Sequence, residues 1–323
     1  GRVSFPHPGG CVIGERPIDL FLEGFEKMGA RIREKNGMYQ IAAPKNGLRG
    51  ADIFFRMQSV TAAETFLMTA VLARGKTILR NVPVEPEIGE LILFLNSCGA
   101  KISGAETHCL EIVGGAPLQA KGTAYAIIPD RIETGSFLIL AALLGKKITI
   151  TNCNPSHAGA VIEHLRSAGV DIIVGKHTIT VTASRGKRAL SFYKSIPLKT
   201  HEYPGFATDL QAPMAVFLTQ AEGKALVFET IFEGRLGYVH ELVRMGAKIQ
   251  DMGPHRVYIE GPTPLRGRKL ESPDLRAGLA FMIAALVAKG ESVVHNAYLI
   301  DRGYEHIEKR LQKLGASIKR ISL

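Results

Sequence analysis

One cysteine of this chain lies in a loop whose composition favours reactivity. Cys11 ends the segment Pro8-Gly9-Gly10-Cys11, and Arg16 follows shortly after it. Two glycines make a loop that can expose a thiol, and a nearby guanidinium favours the reactive thiolate. A lone cysteine is otherwise a small core residue, and the remaining three fit that description: Cys98, Cys109 and Cys153. The spacing leaves both interpretations of Cys11 open.

An aspartate and two arginines lie at predicted helix starts. Asp209 opens an apolar helix, where a carboxylate is either an N-cap or first-turn acid or, in a cleft, a general base. Arg276 and Arg302 follow the acids Asp274 and Asp301 closely, and we expect each acid to orient its arginine. A guanidinium held in this way suits a phosphate or a carboxylate.

The sequence carries no pattern for a metal or a cofactor. Its ten histidines show no ligand spacing, no Gly-x-Gly-x-x-Gly follows a predicted strand, and no P-loop lysine is present. We therefore expect no metal and no cofactor, which argues against nucleotide-dependent redox chemistry and ATP hydrolysis.

The candidate residues belong to a unit that recurs along the chain. A helix, a Gly-Ala pair or close variant and two short strands recur at spacings of 70, 70, 77 and 69 residues. The pairs begin at Gly29, Gly99, Gly169, Gly246 and Gly315. Long apolar helices lie between them and are expected to end at Gly75, Gly145, Gly223 and Gly290. The clearest copy predicts helices at 131–144 and 157–168 and strands at 147–151, 170–174 and 178–182.

This unit predicts the fold class. The long helices are apolar nearly all round, which places helices inside and sheets outside. We predict an α/β protein, a two-lobed inside-out α/β barrel of helix-strand-helix-strand-strand repeats, with the boundary near Pro129. Residues 1–128 hold about one and a half repeats and residues 129–323 hold three, so the first lobe is expected to be incomplete, by roughly 100 residues.

Aligning the repeats brings several residues to equivalent predicted helix starts. One set is Thr61, Arg131, Asp209 and Arg276, and the other is Arg16, Pro86, Ser156, Glu233 and Arg302. Helix starts offer free N–H groups and a dipole that favours anions. If the helix starts converge at one end of each lobe and the lobes face each other, the chain binds an anionic, phosphorylated ligand. The alternative is that these residues are solvated caps and surface arginines.

Composition agrees with a globular enzyme that binds acidic substrates. The 323 residues carry a formal net charge of +10, and their basic residues are dispersed, which does not favour nucleic acid as a partner. We expect no disulfide framework, signal peptide or membrane span, and hence a cytoplasmic protein.

Several motifs together resemble one known family over essentially the whole chain, in one order. They are Pro8–Gly14 with Arg16–Leu20, Pro129–Gly135, Thr208–Ala212, Asp274–Ala277 and Ile300–Glu305. Their sequences are similar to those of the UDP-N-acetylglucosamine 1-carboxyvinyltransferase family. The family's fold is two inside-out α/β lobes of three repeats each.

The resemblance implies transfer of the enolpyruvyl group of phosphoenolpyruvate to the 3′-hydroxyl of UDP-N-acetylglucosamine, with release of phosphate. This is the first committed step of peptidoglycan synthesis, which links the chain to cell shape and division. By its motif Cys11 is expected to be the general acid, to form an adduct with phosphoenolpyruvate and to be the target of fosfomycin. Asp209 is expected to accept a proton at the sugar, and Arg302, with Arg16 and Arg276, to hold phosphate and carboxylate.

The resemblance also implies a nucleotide-sugar site. Its expected residues are Arg16, Pro17, Ile18, Asp19, Leu20, Met57, Gln58, Ser59 and Val60, together with Asp209 and a backbone contact at Ile231. Two positions depart from the family, because Met57 and Val84 stand where basic residues are common. These changes bear on the affinity for uridine.

A Lys-Asn pair that contacts phosphoenolpyruvate in the family precedes the first residue of this sequence. We therefore expect the 323-residue chain by itself to be inactive. Turnover by the purified chain with both substrates present would contradict this expectation.

Three alternatives remain at this point. The shikimate-branch enolpyruvyl transferase shares the fold, but Cys11 and the run from Arg16 to Leu20 argue against it. A non-catalytic paralogue that binds a nucleotide sugar is opposed by the presence of Cys11, Asp209 and Arg302. An RNA-processing protein with similar repeats lacks support, since no basic and aromatic surface is predicted.

Overall fold

The computed structural model describes residues 1–9, 17–120, 122, 124–144, 147–182 and 193–321. The chain folds into two compact units, which divide between Ile128 and Pro129. Cys11, Arg16 and Gly145, which the sequence analysis singled out, lie outside the described residues.

The first unit packs two layers of sheet around its helices. Its helices are α1 (Asp19–Lys27), α2 (Val60–Ala70) and α3 (Pro86–Ser97). Its strands are β1 (Arg2–Pro6), β2 (Arg31–Lys35), β3 (Met38–Ala42), β4 (Asp52–Phe54), β5 (Gly75–Arg80), β6 (Lys101–Ser103) and β7 (Cys109–Gly114). They form sheets of order β1-β3-β2 and β4-β5-β7-β6.

Helix α2 occupies the centre of the first unit. Ala62, Ala63, Phe66, Leu67 and Ala70 of this helix are fully buried. A Cβ atom at Gly24 of α1 would lie 2.1 Å from the ring of Phe66, so only glycine allows the two helices to pack this closely.

The second unit holds the helices that position the candidate site. Its helices are α4 (Arg131–Leu144), α5 (Gly159–Ser167), α6 (Gln211–Gln220), α7 (Val239–Arg244), α8 (Leu275–Val287) and α9 (Ile307–Lys313). Its strands are β8 (Lys147–Thr151), β9 (Asp171–Val174), β10 (Thr178–Thr182), β11 (Leu198–Lys199), β12 (Gly223–Phe228), β13 (Lys248–Asp251), β14 (Arg256–Gly261), β15 (Lys269–Glu271) and β16 (Val293–His295). The sheets have the orders β8-β10-β9, β11-β12-β14-β13 and β15-β16.

Helices α4, α6 and α8 pack against one another in the middle of the second unit. Every residue of α6 is buried, as are residues 134–143 of α4 and 277–284 of α8. Because a helix buried on all sides needs no polar stripe, this packing explains the all-round apolar sequences. The predicted arrangement, with helices inside and sheets outside, is confirmed.

The repeat contains one strand that the sequence pattern did not predict. Strands β4, β11 and β15 each precede a central helix and pair in parallel with the strand that follows it, β5, β12 and β16. Each of these strands is two or three residues long, too short for a periodic pattern.

Two predicted details of the repeat were wrong. Helix α2 ends at Ala70, α6 at Gln220 and α8 at Val287, so Gly75, Gly223 and Gly290 do not cap them. Gly75 and Gly223 instead begin the strands β5 and β12, and Gly290 lies in a bend; their φ angles are 92°, 115° and 92°. The hairpin predicted after Gly315 is absent from the described residues, since residues 317–321 belong to no strand.

The cysteines other than Cys11 do not all lie in the core. Cys153 is buried, Cys98 is half-buried and Cys109 is exposed. Cys109 begins β7 at a position opposite Arg80, on the side of the sheet that faces away from the core. The prediction of three core cysteines is therefore correct only for Cys153.

Candidate active site

Asp209 is held by two arginines at the start of helix α6. It lies in a 3₁₀ turn, Thr208–Leu210, that runs directly into the helix. Its Oδ1 accepts a hydrogen bond from Nη2 of Arg235, and its Oδ2 accepts one from Nη2 of Arg276 at 3.1 Å. In the part of the chain that the structure describes, no side chain caps either the turn or α6, so Asp209 is not a cap residue; it is the acidic residue in the first turn of the 3₁₀ segment.

The surroundings of Asp209 keep its carboxylate ionised. Burial by itself raises the pKa of Asp209. The charges and hydrogen bonds of Arg276 and Arg235 lower it by more than burial raises it, so the pKa lies below the ordinary aspartate value. A carboxylate with a lowered pKa is a weak base. With both oxygens in contact with arginines, Asp209 is therefore poorly suited to accept a proton until an arginine moves away.

Arg276 is fixed at its backbone and at its guanidinium by different residues. Asp274 caps α8 and accepts from the N–H groups of Arg276 at 2.7 Å and Ala277 at 3.1 Å. The guanidinium of Arg276 instead contacts Asp209 and donates from Nη1 to the Tyr304 hydroxyl at 3.1 Å. The expectation that Asp274 orients this guanidinium is therefore wrong, because its carboxylate binds backbone N–H groups.

Arg235 is a site residue that the sequence analysis did not identify. It begins the 3₁₀ turn Arg235–Tyr238, and its side chain is 4% exposed. Besides its contact with Asp209, it donates from Nε to the hydroxyl of Thr208 at 3.2 Å. Thr208 in turn donates to Oε2 of Glu229 at 2.9 Å, which extends the polar cluster to the end of β12.

Glu229 shapes the loop that carries Ile231. Its Oε1 accepts from the backbone N–H groups of Ile231 at 2.8 Å and Phe232 at 3.2 Å. Because the N–H of Ile231 is used in this way, the backbone group that remains for a ligand is its carbonyl oxygen.

Comparing a different position of the repeat, eleven residues before the repeat glycine, would have revealed the residues that the sequence analysis missed. Arg235 and Tyr304 both lie eleven residues before a repeat glycine, Gly246 and Gly315, and both are buried. The equivalent residue of the preceding repeat is Ala158, which is also buried. A cavity that Ala158 lines together with Arg131, Tyr203, Leu210 and neighbouring residues lies at this third position.

Arg302 lies close in sequence to this cluster but not at a helix start. It is the last residue of the 3₁₀ turn Ala297–Arg302 and is exposed, and α9 begins only at Ile307. The left-handed backbone of His306, at φ 45°, separates the two elements. A Cβ atom on the adjacent Gly303 would lie 3.5 Å from Nη1 of Arg276, so this segment passes beside the Arg276 guanidinium.

Asp301 binds a different arginine from the one expected. Its two carboxylate oxygens accept from Nη1 and Nη2 of Arg320 at 2.8 and 2.6 Å. Arg320 also contacts Glu308 at 2.9 Å. These contacts connect the C-terminal segment to the turn that carries Arg302.

The predicted nucleotide-sugar residues of the first unit lie at two helix starts. Pro17 to Leu20 lead into α1, where Ile18 is the cap residue. Met57 to Val60 lead into α2, where the hydroxyl of Ser59 accepts from the N–H of Ala62 at 3.3 Å. Gln58 contacts His108 at 3.4 Å, and the roles of all these residues remain predictions.

Within the second unit the structure thus brings together five residues. Asp209 and Arg276 lie at the starts of α6 and α8, Ser136 lies in the second turn of α4, and Arg235 and Tyr304 lie in the segments before α7 and α9. Within the described ranges, no three His, Cys, Asp or Glu residues form a group that could hold a metal ion. The same part of the chain contains no helix long and apolar enough to cross a membrane.

The sequence matches a family described as EPSP synthase (3-phosphoshikimate 1-carboxyvinyltransferase) over residues 2–311. Three curated relatives carry the name UDP-N-acetylglucosamine 1-carboxyvinyltransferase. The relative from Solibacter usitatus is 44% identical over 321 residues, which cover 99% of this chain and 75% of that protein. Those from Acidobacterium capsulatum and Koribacter versatilis are 46% and 45% identical, each over 99% of this chain and 71% of the relative.

Solved structures share the fold. The enolpyruvyl transferase NikO from Streptomyces tendae aligns with a TM-score of 0.85 at 23% identity, over 99% of this chain and 74% of that one. EPSP synthase from Acinetobacter baumannii aligns with a TM-score of 0.66 at 20% identity, over 97% and 73%. Enolpyruvyl transferases have the inside-out α/β fold that the sequence predicts. With a family match across almost its whole length and relatives at 44–46% identity, the chain belongs to the EPSP synthase family of carboxyvinyltransferases.

Proposed function

We propose that this chain transfers the enolpyruvyl group of phosphoenolpyruvate to the 3′-hydroxyl of UDP-N-acetylglucosamine, in the first committed step of peptidoglycan synthesis. The identity of 44–46% to curated relatives of that name is the observation that carries the proposal. The cluster of one carboxylate and two arginines at the helix starts of the second unit supports it, because the reaction needs a proton acceptor beside an anion site.

The chemistry assigns a role to each candidate. The sugar oxygen forms a bond to C2 of phosphoenolpyruvate while C3 gains a proton, for which Cys11 is the proposed donor. The proton of the attacking hydroxyl goes to Asp209. Because the product keeps the enolpyruvyl double bond, C3 then returns a proton to the Cys11 thiolate as the C2–O bond to phosphate breaks. The departing phosphate takes up the proton that Asp209 accepted.

The arginines are proposed to hold the anionic groups during these steps. Arg276 and Arg302 lie on adjoining segments of the second unit, and Arg16 joins them in the proposal. Fixed positive charge that faces a developing negative charge stabilises a transition state without reorganisation. The segments Pro17 to Leu20 and Met57 to Val60, with the Ile231 carbonyl, are the proposed contacts for the nucleotide sugar.

Ligand preference tests the proposed function against its nearest rival. Isothermal titration calorimetry with UDP-N-acetylglucosamine and with shikimate 3-phosphate should detect binding of the nucleotide sugar only. Binding of shikimate 3-phosphate in its place would contradict the proposal and favour the second branch of the family, which the family description names.

Cys11 is tested by its chemistry toward fosfomycin, an epoxide that alkylates reactive thiols. Mass spectrometry of the treated protein should find one adduct, on Cys11, with exposed Cys109 as the internal control. A chain that remains unmodified at Cys11, or that reacts equally at Cys109, would contradict the assignment of Cys11 as the acid. We place the reaction in the cytoplasm, since unpaired thiols at Cys98, Cys109 and Cys153 suit a reducing compartment.

A further inference from the structure

A buried chain of hydroxyl groups connects Arg276 to helix α4. The hydroxyls of Tyr304 and Ser136 lie 2.9 Å apart, and the Ser136 hydroxyl donates to the carbonyl oxygen of Ile132 at 2.8 Å. Tyr304 is fully buried and Ser136 is 1% exposed. The residues come from three segments of the second unit: α4, the start of α8 and the residues that precede α9.

The available donors fix the direction of each hydrogen bond in this series of hydroxyl groups. Arginine can only donate, so the Tyr304 oxygen must accept from Nη1 of Arg276. The one proton of Ser136 goes to the Ile132 carbonyl, so the proton of Tyr304 must go to Ser136. Tyr304 therefore has to stay neutral, and burial keeps its pKa above the ordinary tyrosine value despite the opposing charge of Arg276.

The ring of Tyr304 and the adjacent residue Gly303 also limit where the Arg276 guanidinium can lie. The guanidinium carbon lies 5.6 Å from the centre of the Tyr304 ring. A Cβ on Gly303 would come within 2.6 Å of Leu275 Cδ1, so residue 303 packs directly on the start of α8. With its Nη1 bound to Tyr304, Arg276 presents Nη2 to Asp209.

We propose that Tyr304, supported by Ser136, is a positioning residue that sets the direction of the Arg276 guanidinium and through it the environment of Asp209. Among the described residues the Tyr304 hydroxyl bonds to Arg276 and Ser136, and no hydrogen bond joins it to Asp209. The inference rests on the proposed function only for the identity of the anion that Arg276 receives.

Tyr304→Phe removes the hydroxyl and keeps the ring, and Tyr238→Phe is the matched control. Tyr238 is likewise buried in the second unit, and its hydroxyl donates to Oε1 of Gln211 at 2.9 Å rather than to an arginine. Tyr304→Phe loses two buried hydrogen bonds and Tyr238→Phe loses one, so we expect both variants to melt at a lower temperature and Tyr304→Phe to be the less stable. A merely structural role for Tyr304 would change stability alone and would leave the Asp209 titration and the phosphate affinity alike in the two variants.

The first readout is an NMR pH titration of the Asp209 carboxyl carbon, which needs no substrate. In Tyr304→Phe a less restrained Arg276 should raise the pKa of Asp209, while Tyr238→Phe should leave it unchanged. The other charged and titratable groups that act on this pair are Arg235, Asp130 and Tyr304 itself, and both variants retain Arg235 and Asp130. An Asp209 titration unchanged in Tyr304→Phe would overturn the proposal.

The second readout is the affinity for inorganic phosphate, measured by calorimetry. We expect binding about tenfold weaker in Tyr304→Phe and within about twofold of wild type in Tyr238→Phe. Ser136→Ala should reproduce the effect of Tyr304→Phe, and Ser136→Thr, which keeps a hydroxyl, should restore wild-type behaviour. Equal phosphate affinity in all four variants would overturn the proposal, whereas a failure to bind UDP-N-acetylglucosamine would contradict only the proposed function.

Discussion

Asp209→Asn is expected to bind inorganic phosphate about tenfold more tightly than the wild-type chain. The Asp209 carboxylate accepts from both Arg235 and Arg276, so an incoming anion has to compete with it. Two unit charges about 4 Å apart interact by about 4 kcal/mol at an effective dielectric constant of about 20. A tenfold gain in affinity, about 1.4 kcal/mol, is the modest part of this energy that we expect to survive local repacking.

Asp52→Asn is the matched control for this experiment. Asp52 also receives hydrogen bonds from an arginine, Arg80, at 3.0 and 3.1 Å, but it lies on β4 of the first unit and is exposed. We expect its phosphate affinity to stay within about twofold of wild type. If Asp209→Asn bound phosphate no more tightly than Asp52→Asn, the carboxylate would not be competing for the arginines. The result also bears on mechanism, because an anionic substrate that draws the arginines away would raise the pKa of Asp209 and make it a better base.

Arg235→Met should lower the stability of the second unit by about 2–4 kcal/mol. The change keeps an unbranched side chain but removes the charge beside Asp209, the hydrogen bond to Thr208 and the stacking over Phe232. Breaking a fully buried ion pair costs about 3–5 kcal/mol. The cost is smaller here because Asp209 keeps Arg276 and its side chain remains 33% exposed. Urea unfolding followed by circular dichroism measures the difference, and a variant as stable as the wild type would contradict the structure of the cluster.

The difference in stability between wild type and Arg235→Met is expected to depend on pH. Because Asp209 has a lowered pKa in the folded chain, its ion pairs contribute stability above the ordinary aspartate pKa, about 3.9, and lose it as pH falls through the folded value. The stability difference between wild type and Arg235→Met should therefore be largest near neutral pH and shrink in acid. Arg80→Met, which breaks the exposed pair with Asp52, is the control and should leave the unfolding midpoint nearly unchanged at every pH.

The sequence predicted the architecture because the spacing of its apolar and polar residues indicates helices and strands. Helices α4, α6 and α8 are apolar on all faces, and such a composition fits only the centre of a fold. Strands β8 and β10 alternate β-branched and polar residues, and their observed bounds are those predicted. The parallel strands β4, β11 and β15 escaped prediction because their partners are distant in sequence and their own length is two or three residues.

The candidate site was predictable by residue type but not by pairing. Asp209 and Arg276 carry the motifs of the family, yet nothing local in sequence shows that they contact each other across 67 positions. Local reasoning paired Asp274 with Arg276 and Asp301 with Arg302, whereas the fold supplies a helix cap in the first case and Arg320 in the second. Arg235 stands in a turn with an ordinary composition, and the features that distinguish it from a surface arginine are the repeat position that it shares with Tyr304 and its burial beside Asp209.

In the second unit, the position eleven residues before each repeat glycine carries a methyl group in Ala158, a guanidinium in Arg235 and a phenol in Tyr304. All three side chains are buried, so one backbone scaffold tolerates three unlike chemistries at a single equivalent site. Related proteins with this scaffold can therefore change their ligand preference by substitutions in one repeat of the second unit. The other two repeats keep the central helices packed together. Substitutions of this kind would change the polar cluster around Asp209 and leave the packing of α4, α6 and α8 in place.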